Sequence, residues 1–281
     1  VQIIVNALPV ADIESARRRE DVLRELNLFP LWQLRSLPVT NSAPEVPPVS
    51  EVPTAAAGLQ PGQAAIGEIP QTEIGKLNWP EINWPELKQL VHDCTACRLR
   101  AGCKQTVFGM GDENADWLFV GSWPTEDDDE KGEPFAGQAG QLLDNMLAAI
   151  KLKRGANVYF ANVVKCSGSI THGPQADEIA QCLPYLARQI QLIQPKIIVA
   201  LGHAAATALL GEDREWSSLP GKVHEYRVAK DSSQQAIPLV ITHHPAALLI
   251  TPLNKAQTWR DLCLARDTML CLAQDKIQGF N

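Results

Sequence analysis

The sequence predicts an α/β fold, a three-layer α/β/α arrangement with a central, mostly parallel four-stranded sheet. Four short apolar runs read as strands buried on both faces: WLFVG (117–121), VYFANVV (158–164), KIIVALG (196–202) and PLVITHH (238–244). Helical patterns occupy 138–151, 176–193, 203–210 and 255–273. Strands that alternate with helices of this length pair in parallel, because each crossover returns the chain to the same end of the sheet. In such folds ligands sit beyond the carboxyl ends of the strands. The chemically capable residues of this chain fall just after those ends.

The rest of the chain divides by composition. Residues 1–36 hold an amphipathic helical segment, centred on 12–36, with Val22, Leu23, Leu26 and Leu28 near helical spacing and Pro30 as its stop. Residues 37–86 form a Pro/Ala-rich linker, with prolines at 38, 44, 47, 48, 53, 61 and 70. Residues 87–281 form the folded domain. NWPEINWPEL (78–87) repeats NWPE, which either docks two tryptophans on the domain or opens its first helix.

Composition excludes several classes. The 281 residues are 45% hydrophobic and 20% charged, as in globular proteins. No apolar run reaches the roughly 18 residues of a membrane span. The opening VQIIVNALPVADIESARRRE lacks the order of a signal peptide, so a cytoplasmic protein is expected. The net charge of −7 weighs against sequence-blind DNA binding, which rests on neutralising phosphates. Residues 91–281 are nearly balanced, with 18 Lys/Arg against 21 Asp/Glu, and leave room for a local basic groove.

Seven cysteines without a secretory signal favour metal or buried thiols over disulfides. Cys94 and Cys97 form C-x2-C in a polar stretch of helical character. Cys166 follows a strand, and Cys182 begins a helix, with fifteen residues between them. Four thiolates suit zinc or an iron–sulfur cluster, and spacing does not choose between them. Cys103 is an alternative ligand, in a C-x2-C-x5-C arrangement. Cys263 and Cys271 read as small buried hydrophobes of a C-terminal helix.

The motifs occur in a telling order: C-x2-C, G-x-x-P with an acidic run, PFAGQAGQLLD, NVVKC, C-x-P-Y-L, PKIIVALG and HHPAALL. Over about residues 91–275 this order resembles the family 4, iron–sulfur uracil-DNA glycosylases. The resemblance implies a [4Fe–4S] cluster on Cys94, Cys97, Cys166 and Cys182. It also implies excision of uracil from DNA in base-excision repair, with the base flipped into a pocket. Phe135 matches the aromatic on which uracil stacks. Asn162 matches the asparagine that pairs with the uracil edge, and Gly121 stands at the same pocket. His244 matches the histidine that donates to a uracil carbonyl oxygen. Leu248 and Leu249 match the loop that wedges into the duplex.

The first motif departs from the family pattern G-E-A-P-G-x-E-E-D. This chain reads Gly121-Ser122-Trp123-Pro124-Thr125-Glu126-Asp127-Asp128-Asp129. Ser122 takes the position of a catalytic glutamate, and Asp128 that of a later one, as a carboxylate that orients water or holds the sugar cation. Ile170 stands where a polar catalytic residue often occurs. Losing a positioned acid–base group costs a factor of about 10² to 10⁴, so weakened excision is expected. The alternative is a non-catalytic subunit of the same fold that docks on a replication assembly through residues 12–36. That segment is faintly similar to the N-terminal peptide of the clamp-loader psi subunit.

Overall fold

The computed structural model describes residues 77–167, 173–227 and 236–278. The helix expected over 12–36, most of the linker, and Ile170 lie outside the described residues.

Four strands form the parallel centre: β2 (Trp117–Gly121), β3 (Val158–Asn162), β4 (Ile197–Leu201) and β6 (Ile237–Thr242). Two antiparallel strands extend the edges, β1 (Met110–Gly111) on β3 and β5 (Val223–Tyr226) on β6. The six strands run in the order β1-β3-β2-β4-β6-β5. The four-stranded sheet expected from sequence is thus the centre of a six-stranded one.

Strand periodicity sorts the core into two layers. Leu118, Val120, Tyr159, Ala161, Ile198, Ala200, Leu239 and Ile241 point to one face. There they meet helices α1 (Trp84–His92), α5 (Ala176–Ile193) and α6 (His203–Leu210), through Leu87, Leu186, Ile190 and Ala205. Trp117, Phe119, Val158, Phe160, Ile197, Val199 and Val240 point to the other. They pack against α4 (Gln138–Ala149), α7 (Pro245–Ile250) and α8 (Lys255–Gln278), through Leu143, Met146, Leu147, Leu248 and Leu262. Two short helices, α2 (Leu99–Gly102) and α3 (Glu126–Lys131), complete the framework. Among the described residues, no helix is long and apolar enough to cross a membrane.

The repeated NWPE does both things its sequence allows. The first copy forms a single turn, Trp79–Glu81, whose indole stands edge-on to Tyr185 at 5.4 Å. Arg188 clamps that turn by donating to the carbonyls of Pro80 (2.9 Å) and Ile82 (2.8 Å). The second copy opens α1 with a capping box. Glu86 N–H donates to Asn83 Oδ1, and Asn83 N–H donates to Glu86 Oε2, both at 3.0 Å. Residues 77–86, assigned to the linker by composition, therefore belong to the folded body.

Candidate active site

The parallel strands β2, β3, β4 and β6 end together, with Gly121 beside Asn162 and Leu201 beside Thr242. A cavity of about 280 Å³ opens above these ends. Trp123, Thr125, Asp127, Asp128, Phe135 and His244 are among its walls. Its size is at the small end of ordinary ligand pockets.

Phe135 is buried with φ of 58°, in the left-handed region that a bulky side chain avoids. Its backbone is held there from two sides. Asp128 Oδ1 accepts from Ala136 N–H at 2.6 Å, and Arg154 Nη2 donates to the Phe135 carbonyl at 3.3 Å. The ring lies against Gly121, where a Cβ would stand 2.7 Å from Phe135 Cζ and overlap Asn162 Oδ1. Only glycine at 121 lets the ring and the amide approach this closely. The Asn162 side chain is buried and does not itself line the cavity, and among the described residues neither its Oδ1 nor its Nδ2 has a hydrogen-bond partner. A buried amide left open at both ends is costly, and a ligand with a matching edge would satisfy it.

His244 precedes α7 and caps it: its Nδ1 accepts the Ala246 N–H at 3.2 Å. That bond assigns the proton of the neutral ring to Nε2. Burial pushes its pKa down to about 4, opposed by the charge of Asp128. The ring is therefore neutral near pH 7 and keeps one N–H. The imidazole lies 5.7 Å from the Phe135 ring, centroid to centroid. His243 turns elsewhere, edge-on to Trp216 at 5.0 Å.

The three successive aspartates diverge. Asp128 Oδ2 accepts from Thr125 N–H (2.9 Å) and Oδ1 from Ala136 N–H, so the carboxylate binds the α3 cap to the Phe135 turn. Asp129 accepts from the backbone of Lys104 and Gln105, each at 2.9 Å, and from Ser167 Oγ at 3.0 Å. Burial works to raise its pKa, but these donors hold it below the ordinary carboxylate range. Asp127 is exposed, rests against Gly137, and faces the cavity. Ser122 is not among the residues that line the cavity; its backbone carbonyl accepts from Val164 N–H at 3.0 Å. Sequence reasoning missed Asp127, because an acidic run gives no sign of which member points inward.

The wedge expectation divides as well. Leu248 is packed in the core beneath α4, so it is corrected to a core residue. Leu249 is 43% exposed, and the neighbouring Ile250 and Leu253 are 84% and 89% exposed. The helical period places one leucine of the pair inward and its neighbour outward.

The cysteines gather on the face of α5. Cys94 and Cys97 lie in the turn between α1 and α2, and not in a helix as expected. Cys166 follows β3, and Cys182 lies in α5. All seven cysteines are free thiols. Burial raises the pKa of Cys166, and Cys103, Cys182 and Cys97 raise it further. Burial pushes Cys182 up to about 11, opposed by Lys165 and aided by Cys94 and Cys97. Cys97, Cys166 and Cys182 thus each sense other thiols of the set, a donor chemistry that suits a cationic centre taking thiolates. Cys103 stands beside Cys166 as a fifth thiol. Among the described residues, no three His, Cys, Asp or Glu side chains are arranged to hold a single ion.

Residues 108–265 match the uracil DNA glycosylase superfamily. The chain belongs to that superfamily. It is similar to the Type-4 uracil-DNA glycosylase of Pyrobaculum aerophilum, 36% identical over 182 residues, which cover 63% of this chain and 90% of that one. The Type-4 uracil-DNA glycosylase of Archaeoglobus fulgidus is 38% identical over 166 residues, 58% of this chain and 81% of its own length. That of Sulfurisphaera tokodaii is 37% identical over 166 residues, 59% and 76% of the two chains. The superfamily match spans β2 to β6, and so takes in Gly121, Phe135, Asn162 and His244 together.

Proposed function

We propose that this protein excises uracil from DNA, as a repair hydrolase of the N-glycosidic bond, and that the cavity above the strand ends receives the flipped base. The family membership supports the reaction class; Phe135 and His244 on the cavity wall, with the open Asn162 amide buried beside the Phe135 ring, support the assignment to this site. Uracil presents a carbonyl oxygen and an N–H side by side, and one amide answers both. Phe135 offers the stacking face that a flipped base requires. The Nε2–H of neutral His244 donates to a uracil carbonyl oxygen and stabilises the anion as the bond breaks.

The hydrolysis balances as follows in atoms and charge. The oxygen of a water bonds to C1′ of the deoxyribose, and the electron pair of the C1′–N1 bond leaves with uracil. The proton released by the water passes through a carboxylate to solvent, and the uracil anion takes its proton from solvent. Asp127 is the carboxylate placed for this. It faces the cavity, and no hydrogen bond among the described residues occupies it, whereas the oxygens of Asp128 already accept backbone N–H groups. Asp128 acts as a positioning residue for Phe135, and Ser122 supplies no carboxylate.

Cys94, Cys97, Cys166 and Cys182 would hold a [4Fe–4S] cluster, which would supply a tie between three chain segments. Leu249, with Ile250 and Leu253 beside it, presents the apolar surface that enters the duplex.

The test is release of free uracil from a single-uracil oligonucleotide by the cluster-loaded protein. Asp127→Asn lowers the rate by a factor of about 10². A parent that releases no uracil sinks the function. An Asp127→Asn rate equal to that of the parent sinks the carboxylate assignment alone.

A further inference from the structure

Lys165 is fully buried, at 2% exposure, between Asn162 and Cys166 in sequence. Its Nζ donates to the Asn162 carbonyl at 2.7 Å and to Gln189 Oε1 at 2.6 Å. Its backbone N–H donates to Cys182 Sγ at 3.3 Å. Gln189 Nε2 passes the chain on to the Phe108 carbonyl at 2.9 Å. Cys182 and Gln189 lie on the same helix, about two turns apart. One residue thus grips both the strand end that carries the open amide and the helix that carries a cysteine of the cluster.

A buried amine, charged or neutral, is a costly way to fill space, and an apolar residue of the same length would avoid that cost. Among the described residues the amide of Asn162 makes no hydrogen bond, so its backbone and packing set its direction. The Lys165 bond is made to that backbone. We propose that Lys165 is a positioning residue that aims Asn162 at the base edge and couples that aim to the cysteine-held helix. The inference rests on the proposed uracil pocket. Lys165 itself does not line the cavity.

The experiment measures three quantities on cluster-loaded protein: equilibrium binding of free uracil, kcat and KM for uracil release from DNA, and visible absorbance of the cluster. Lys165→Met retains the absorbance and loses at least about tenfold in uracil affinity and in kcat, with KM for DNA little changed. Gln189→Leu leaves the ammonium in place without its second acceptor and shifts uracil affinity in the same direction by less. A structural role alone would lower the thermal midpoint and leave the uracil affinity of the folded protein intact. If Lys165→Met does not fold, Gln189→Leu decides. Parent-like uracil affinity in either folded variant overturns the proposal. Chelation of iron from the parent weakens uracil binding, and unchanged binding overturns the coupling. Absence of uracil release by the parent would instead count against the function.

Discussion

Asp127, Asp128 and Asp129 are one residue type repeated, and the fold gives each a different task. Helical geometry turns successive side chains by about 100°, so neighbours cannot share a partner. Asp128 meets the Phe135 turn, Asp129 meets the cysteine-bearing loop, and Asp127 meets the cavity. None of this was legible in the run itself. By contrast, Phe135, Asn162 and His244 were legible through their motifs, because each stands at a strand end or a turn that few other residues fit. His244 carries a pH prediction. Its folded pKa of about 4 lies below the ordinary 6.5, so the unfolded chain takes up a proton first. Its contribution to stability is complete above about pH 6.5 and is lost as pH falls towards about 4. The thermal midpoint of the parent falls across this window, and the slope is shallower in His244→Gln. An equal slope in both contradicts the assigned burial.

At the scale of elements, the parallel strands were plain in the sequence because each is apolar along most of its length and largely buried on both faces. The edge strands were not. β1 has only two residues and β5 alternates with exposed positions, so neither gives an apolar run. The C-x2-C segment misled in another way. Its polar surroundings suited a helix, yet the turn between α1 and α2 is what lets two thiols face α5. Helix α7 separates the two leucines of the expected wedge. Its inward leucine is Leu248, and its outward edge continues through Ile250 to Leu253. A double variant, Leu249→Ser with Ile250→Ser, loses about tenfold or more in uracil release from duplex DNA, as unstacking energy of a few kcal/mol is no longer offset. Release from single-stranded DNA, already unstacked, stays close to the parent. Equal losses on both substrates would remove the wedge.

For the whole molecule, the sheet joins two sites that sequence motifs present separately. The cavity lies over the strand ends, and Cys94, Cys97, Cys166 and Cys182 lie on the α5 side. The five residues from Asn162 to Cys166 lead from one to the other. The family pattern named the residues at both ends of that path but not the buried lysine within it, since NVVKC reads as an ordinary strand end. The doubt raised by Ser122 concerned one lost carboxylate, and the fold provides another at Asp127 on the same cavity wall. The central claim is that the open Asn162 amide reads uracil. Release of free uracil from single-uracil DNA, measured for the parent beside Asn162→Ala at equal cluster content, tests it most directly. The account predicts release by the parent and a loss of about 10² or more in the variant, from one bidentate contact removed together with its part in the transition state. No release by the parent, or an undiminished rate in Asn162→Ala, would contradict it.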